Sequence, residues 1–156
     1  MTTSTPFSVI VPAHDESAVI QRTLATMLRD ADKDGLEVIP VCNGSSDDTA
    51  ERARSFGPPV RVLETDKGSK PLALNMGDAA ALHFPRLFVD ADIEVDYASL
   101  RAVAGRLLDS PLLCAAAPEL RVNLEHSSLA VRMYYSIWLR LPYVRNRMVG
   151  SGVYGL

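Results

Sequence analysis

Short apolar runs alternate along this chain with longer segments in which apolar residues recur every three or four positions. The runs cover residues 7–11, 36–42, 60–64 and 87–89 and are rich in β-branched side chains, which is typical of buried strands. The segments between them have the spacing of amphipathic helices. Strands joined by helical crossovers form parallel sheets. The pattern therefore predicts an α/β fold with a Rossmann-like, mostly parallel sheet flanked by helices on both faces.

Local signals place the helices. Apolar pairs from Val19 onward predict the first, and residues 45–48 have capping-box character that predicts the start of the second. Pro71 suits the first turn of a helix that runs through Ala81. A further amphipathic segment over 97–108 predicts the fourth helix.

The later apolar runs predict more strands. Residues 112–117 are expected to form a fifth strand and residues 118–122 a sixth. Pro40 is awkward inside the second strand, because proline cannot donate to a ladder. Cys42 and Cys114 both lie in apolar runs without zinc-ligand spacing, so we expect two buried, reduced thiols.

The last third of the chain carries an apolar stripe over 129–141 together with arginines and few acids. Two interpretations remain open for residues 127–147. The stripe is the core-facing side of a helix that covers the sheet, or it rests on an anionic lipid surface as a peripheral membrane contact. The arginines of this region are Arg121, Arg132, Arg140, Arg145 and Arg147.

Composition narrows the class of protein. The 156 residues are 47% hydrophobic and 22% charged, as in one soluble globular domain. A net charge of -3 argues against a general nucleic-acid binder. The first apolar run is too short for a signal peptide, and no stretch approaches the roughly 18 apolar residues of a spanning helix. We therefore expect a cytoplasmic protein, with peripheral membrane contact as the one alternative.

Polar residues follow three of the predicted strands directly. They are residues 12–16, residues 43–47 and the Asp90-Ala91-Asp92 triplet. The carboxyl ends of parallel strands meet at one edge of a sheet, where doubly wound folds bind ligands. Three polar clusters at the same edge predict a binding site.

Each cluster also has a structural explanation. Asp15 and Glu16 suit a helix N-terminus, the Asn43-Gly44-Ser45 stretch suits a tight turn, and Asp92 could cap the following helix. Asp90 has no such explanation, because a charge at the tip of a buried strand needs pairing, hydration or a metal.

Paired carboxylates favour hard cations such as Mg²⁺ or Mn²⁺, which take one or two protein carboxylates and complete their shell with water and substrate phosphates. Lys70, with Lys67 and Gly68 nearby, could add positive charge or backbone N–H groups. The chain has no GxGxxG, P-loop or GxSxG motif. A phosphate would therefore be held mainly through a metal.

Four segments in this order and spacing, VIVPAHDES, VCNGSSDDTA, GSKPLALNMGDA and FVDADIEVD, resemble family-2 glycosyltransferases of the GT-A fold. The resemblance covers nearly the whole chain, as a single GT-A-like domain over 1–156. It implies a nucleotide-sugar-binding half over 1–120 and the start of an acceptor-side region over 121–156. The implied activity is metal-dependent, inverting transfer of a sugar from a UDP- or GDP-linked donor to a carbohydrate or lipid acceptor.

The resemblance also implies roles for individual residues. Asp92 would be the direct ligand of Mn²⁺ or Mg²⁺, and Asp90 would reach the ribose or a metal-bound water. Asn43 would face the base or ribose, and Lys70 and Asn75 would support the donor. The full set implied to bind the nucleotide-sugar is Pro12, Ala13, His14, Glu16, Asn43, Ser45, Lys70, Asn75, Asp90 and Ala91.

Two departures from the family pattern qualify these implications. Cys42-Asn43 stands where an Asp-Asp or Asp-Asn pair is usual, and no acid after Asp109 matches the expected catalytic base. We therefore expect donor binding with weak or absent transfer. A non-catalytic nucleotide-sugar-binding fragment and a nucleotidyltransferase remain as alternatives. An Asp-nucleophile phosphatase would need its DxD after the first strand.

Overall fold

The computed structural model of the protein describes residues 5–32, 35–110, 112–119, 124–125, 127–138, 140–141 and 152–156. The strands are β1 (Phe7–Ala13), β2 (Leu36–Asn43), β3 (Leu63–Thr65), β4 (Arg86–Val89) and β5 (Val153–Gly155). The helices are α1 (Ile20–Leu28), α2 (Thr49–Arg54), α3 (Lys70–Ala80), α4 (Tyr97–Asp109) and α5 (Leu129–Trp138). Among the described residues, no helix combines the length and apolar character needed to cross a membrane.

The strands form one sheet in the order β3-β2-β1-β4-β5, parallel except for β5. Every residue of β1 and β2 is buried, as expected of strands covered on both faces. The α1, α2 and α4 helices pack with one face of the sheet and α3 packs with the other. The predicted α/β fold is confirmed.

Pro40 fits into β2 at a gap in its ladder. On the β3 side, Val38 exchanges hydrogen bonds with Pro59 and Arg61, and regular pairing resumes only at Val41. The direction of the backbone N–H alternates along a strand, so Pro40 faces the same neighbour as Val38, two residues earlier. Pro40, which has no N–H, therefore faces the side on which the ladder is interrupted. The third strand is accordingly shorter than predicted, with Val60 contributing only an isolated bridge.

The predicted strand over 112–117 is wrong. Only Ala116 forms a bridge, with Gly155, and Cys114 is exposed rather than buried. The edge of β4 is instead paired by β5, an antiparallel strand of three residues that sequence analysis missed. Most of the predicted strand over 118–122 lies outside the described residues.

The helix starts also differ in detail from the predictions. The second helix begins at Thr49 instead of the predicted 45–48. The α1 helix begins at Ile20, and the Glu16 carbonyl accepts hydrogen bonds from the Val19 and Ile20 N–H groups, so Glu16 lies at the N-terminus of this helix. The cap of α4 is Asp96, which accepts a hydrogen bond from the Ser99 N–H, and not Asp92. Asp92 is therefore available for other contacts.

The α5 helix does not cover the sheet as one interpretation expected. None of its residues is buried, and Leu129, Met133, Tyr134 and Ile137 are exposed. Hydrophobic spacing predicted the helix correctly, but not what lies against its apolar side.

A buried carboxylate connects the amino ends of β1 and β2 through hydrogen bonds. Glu37 accepts hydrogen bonds from the Ser8 hydroxyl at 2.6 Å, Arg61 at 2.7 Å and the Leu82 N–H at 2.9 Å. Burial raises the pKa of Glu37, but these hydrogen bonds outweigh burial and hold its pKa below the ordinary value. The ionised form is therefore the one that the fold stabilises.

We predict that Glu37→Gln lowers the free energy of unfolding by about 1–3 kcal/mol at pH 7, because it weakens charge-assisted hydrogen bonds in a buried network. The pKa of Glu37 is lowered on folding, so its contribution is present above the unfolded value of 4.5 and is lost as the pH falls below it. Urea unfolding at pH 7 and pH 3 should show that the difference between wild type and variant shrinks in acid.

Glu51→Gln provides the matched control, since Glu51 is an exposed acid of the first turn of α2. Its effect should stay within about 0.5 kcal/mol at pH 7. An equal loss of stability in both variants would contradict a special role for Glu37.

Candidate functional site

A cavity of about 360 Å³ opens at the carboxyl ends of β1, β2 and β4. In this sheet the strand order reverses at β1, which has β2 on one side and β4 on the other. Loops leaving neighbouring strands at such a point diverge and leave a crevice between them. The cavity is lined by Pro12, His14, Glu16, Asn43, Gly68, Ser69, Lys70, Asp90, Ala91 and Asp92.

Most of the residues predicted for the site therefore meet around one cavity, and three do not line it. Ala13 is buried behind the wall, Ser45 accepts a hydrogen bond from the Asp15 N–H, and Asn75 is exposed on α3. Ser69 lines the cavity although sequence analysis did not select it. The serine directly before Lys70-Pro71 is a helix N-cap signal, and its hydroxyl does accept from the Leu72 N–H.

The loops after β1 and β2 are connected by hydrogen bonds between side chains and backbone. Asp15 accepts from the Ser46 N–H at 2.7 Å, and the Glu16 N–H donates to the Thr49 hydroxyl at 2.9 Å. The Ser17 N–H donates to Asp47 at 3.1 Å. Hydrogen bonds from the Thr49 hydroxyl, and then from Ser17, hold the pKa of Asp47 below its ordinary range. The polar motif after β2 thus positions the loop that carries His14 and Glu16.

The Asn43 side chain joins three walls of the cavity. Its amide nitrogen donates to the Ala13 carbonyl at 2.8 Å, and its amide oxygen accepts from the Ser69 N–H at 3.0 Å. Its backbone carbonyl lies 2.6 Å from Nδ1 of His14, so that nitrogen carries the proton. Asn43 is only 3% exposed, and its amide is occupied on both sides by the protein itself.

Gly44 brings the β2 end close to the loop before α3. Its φ is +61°, and its N–H donates to the Thr65 carbonyl at 2.7 Å. A Cβ at this position would lie 2.6 Å from the backbone nitrogen of Gly68. A larger residue would therefore push the Gly68-Ser69 wall away from the cavity.

The Asp90-Ala91-Asp92 triplet is held from two sides. The Asp90 N–H donates to the Gly152 carbonyl at 2.8 Å, where the antiparallel β5 begins, and the Ala91 carbonyl accepts from the Thr23 hydroxyl of α1 at 2.6 Å. Gly152 has a φ of +89°. The backbone of the triplet is thus fixed, whereas the Asp92 side chain is exposed at the cavity.

The cavity is predominantly acidic. Lys70 Nζ lies 2.6 Å from Oδ1 of Asp90, and Glu16 and Asp92 are the other acidic lining residues. Burial raises the pKa of Glu16, and the charges of Asp92, Asp47 and Asp90 raise it further. Within the described parts of the chain, no three His, Cys, Asp or Glu residues are grouped so as to hold a metal ion by themselves. A cation here would complete its shell with water or with oxygen atoms of a bound substrate.

Solved structures of similar fold include a mannosyltransferase and other proteins in complex with nucleotides or nucleotide-sugars. A mannosyltransferase from Pyrobaculum calidifontis in complex with GDP-Man and Mn²⁺ is 23% identical, and it superposes with a TM-score of 0.74 over 99% of this chain and 45% of its own. S. aureus TarS in complex with UDP-GlcNAc is 24% identical, with a TM-score of 0.56 over 67% of this chain and 32% of its own. At these identities the likeness shows the fold.

Glucosyl-3-phosphoglycerate synthase from Mycobacterium tuberculosis, in complex with Mn²⁺, UDP and glucosyl-3-phosphoglycerate, is 25% identical. It superposes with a TM-score of 0.69 over 97% of this chain and 56% of its own. The chain thus spans about half the length of the mannosyltransferase and of the synthase, and about a third of the TarS chain. A search of curated proteins finds no match.

The family model for glycosyl transferase family 2 matches residues 8–150, which include all four motifs, the strands β2, β3 and β4, and all but the first residue of β1. Together with the GT-A fold and the cavity at the strand-order reversal, this match identifies the chain as a member of glycosyl transferase family 2.

Proposed function

We propose that this chain binds a nucleoside-diphosphate sugar, UDP- or GDP-linked, and contributes to inverting transfer of the sugar to an acceptor hydroxyl. The observation that carries the proposal is the meeting of Glu16, Lys70, Asp90 and Asp92 around one cavity in a family-2 chain. A nucleotide-sugar would lie with its diphosphate toward Asp92 and Lys70 and its nucleoside toward His14 and Glu16.

The carboxylates that line the cavity suit a divalent cation, Mn²⁺ or Mg²⁺, which the protein and the substrate would bind together. Asp90 and Asp92 offer hard carboxylate oxygens, and an anionic diphosphate could not approach three carboxylates with one lysine unless further positive charge accompanied it. Asp92 would be the ligand, and Asp90 would bind the ribose or a water of the cation. A bound cation would neutralise the charge that develops on the leaving nucleoside diphosphate.

The remaining groups of this chain orient the donor. Lys70, at the N-terminus of α3, would bring its positive charge toward the diphosphate. The hydrogen bonds between the loops after β1 and β2 keep His14 and Glu16 in place, so that these loops lose little conformational entropy when the nucleoside binds. The base that deprotonates the acceptor hydroxyl is not assigned to any described residue.

We predict that UDP or GDP binds measurably in Mn²⁺ and that Asp92→Ala weakens this binding at least about tenfold, because a metal ligand is lost. Calorimetric titration of both nucleotides and their sugars, with and without Mn²⁺, measures the effect. Asp109→Ala, which removes an exposed acid at the end of α4, should leave the affinity unchanged.

Absence of nucleotide binding under all conditions would contradict the proposed function. Metal-independent binding that survives in Asp92→Ala would contradict the metal role alone. Release of pyrophosphate from a nucleoside triphosphate, measured in the same samples, would favour a nucleotidyltransferase.

A second prediction concerns Asn43, which sequence analysis placed at the base or ribose. Asn43→Asp keeps an acceptor for the Ser69 N–H but loses the donor to the Ala13 carbonyl and sets two oxygens against each other. If Asn43 acts by positioning the walls, UDP and GDP should both weaken by about tenfold with their affinity ratio unchanged. Calorimetry with the two nucleotides measures that ratio.

Ser8→Ala is the matched control for Asn43→Asp, because it also removes a buried hydrogen-bonding group, at the opposite end of β1. Both variants should lose about 1–3 kcal/mol of stability, but only Asn43→Asp should lose nucleotide affinity. A changed UDP-to-GDP ratio would instead show direct contact of Asn43 with the base.

We also propose that the exposed side of α5 rests on an anionic lipid surface. Leu129, Met133 and Ile137 recur at a spacing of four and are exposed, with Leu129 at 75%, and Arg132 and Arg140 are exposed beside them. Apolar side chains next to cationic ones suit the boundary of a negatively charged leaflet.

We predict that the protein sediments with phosphatidylglycerol vesicles and less with neutral vesicles, and that salt weakens the binding. The double variant Met133→Asp and Ile137→Asp should reduce the bound fraction by about tenfold or more, since two apolar anchors are lost. Leu82→Asp, an equally exposed leucine in the loop after α3, is the control and should bind normally. Equal binding of all three proteins, or self-association through α5 without lipid binding, would contradict the proposal.

A further inference from the structure

The Lys70–Asp90 ion pair joins two elements that are fixed independently. Lys70 is the first residue of α3, whose N-terminus is capped by the Ser69 hydroxyl. Asp90 directly follows β4, and its N–H is bonded to the Gly152 carbonyl. Because both backbones are held, the Lys70 side chain reaches Asp90 without movement of α3 or β4, and its Nζ lies 2.6 Å from Oδ1 of Asp90.

The ion pair lies in a cavity that carries further negative charge. Glu16 and Asp92 line the same cavity, and Glu16 interacts unfavourably with both Asp92 and Asp90. Lys70 therefore supplies a cation to an acidic cavity from within the protein. A divalent cation that approached Asp90 would meet the ammonium group on the same carboxylate, and like charges at that separation repel.

We infer that Lys70 and the divalent cation compete for Asp90, so that the cavity binds the cation together with the nucleoside diphosphate rather than before it. This inference rests on the proposed function and deepens it. The diphosphate is the group that resolves the competition, because its anionic oxygens offer Lys70 a second partner.

The side chains can make this exchange at low cost. The Lys70 side chain is 56% exposed and that of Asp90 is 35% exposed, and ion pairs between exposed groups are weak. Lysine carries its charge on a flexible stem with rotatable donors, so it can turn from a carboxylate to a phosphate without movement of α3. Binding of the diphosphate would then release Asp90 for the cation or its water.

Coupling of this kind must be reciprocal. If the nucleotide raises the affinity for the cation by some factor, the cation raises the affinity for the nucleotide by the same factor. Part of that factor would come from the Lys70–Asp90 pair, because the pair lowers the affinity for the cation only while the nucleotide is absent.

The test is the affinity for Mn²⁺ alone, measured on the full chain by electron paramagnetic resonance of free Mn²⁺. Lys70→Met keeps the length of the side chain and removes its charge, and we expect it to bind Mn²⁺ about three- to tenfold more tightly than wild type. Lys70→Arg keeps the charge and should resemble wild type. Lys67→Met removes an exposed lysine of the loop before α3 that does not line the cavity, and it should also resemble wild type.

Two further measurements locate the effect. Adding Asp92→Ala to Lys70→Met should abolish the gain, which ties the bound Mn²⁺ to this cavity. Saturating UDP or GDP, whichever binds, should increase Mn²⁺ affinity by a larger factor in wild type than in Lys70→Met.

An unchanged or weaker affinity of Lys70→Met for Mn²⁺ overturns the inference, as does the failure of both proteins to bind Mn²⁺ at millimolar concentration. A gain of the same size in Lys67→Met also overturns it, since the effect would then be one of net charge. Metal-dependent nucleotide binding that is sensitive to Asp92→Ala can persist in each of these cases. Failure of the inference is therefore distinguishable from failure of the proposed function.

Discussion

The burial of β1 is the constraint on which the site depends. This strand is covered on both faces and paired on both edges, by β2 and by β4. A polar side chain within it must find its hydrogen-bond partner inside the protein, as Ser8 does with Glu37. The chain can become polar only after Ala13. Because β2 and β4 lie on opposite sides, the loops that follow these strands separate, and the polar residues after all three strands face one crevice.

The acidic residues near this crevice divide into two sets with different physical roles. Asp15 and Asp47 accept hydrogen bonds from backbone N–H groups and connect the loops after β1 and β2. Glu16, Asp90 and Asp92 remain directed at the cavity, where they interact with one another and with Lys70. The first set makes the site rigid and the second makes it dependent on added positive charge.

Sequence alone predicted the parts of the molecule that local physics determines. Continuous apolar runs identified β1, β2 and β4, and the polar residues that follow them identified the cavity. It failed for β5, because three residues that include a glycine have no periodicity, and the free edge of β4 pairs with them rather than with the more apolar run at 112–117.

The same limit applies to individual side chains. An asparagine at the end of β2 can bind a ligand or the protein, and only the positions of the Ala13 carbonyl and the Ser69 N–H show that it binds the protein. The spacing of α5 predicts an apolar side, whereas what covers that side depends on surfaces far away in sequence. Roles in donor binding stay predictions, because they depend on a molecule outside the chain.

The bond from the Asp90 N–H to the Gly152 carbonyl also bears on how the protein folds. The units β1-α1-β2 and β2-α2-β3 close over short stretches of chain, whereas β4 must wait for β5, which lies far away in sequence. Long-range pairing carries a larger entropic cost of loop closure and forms more slowly. We therefore expect the wall of the crevice after β1 and β2 to form early during synthesis, and the wall that carries Asp90 and Asp92 to be completed only when β5 has left the ribosome.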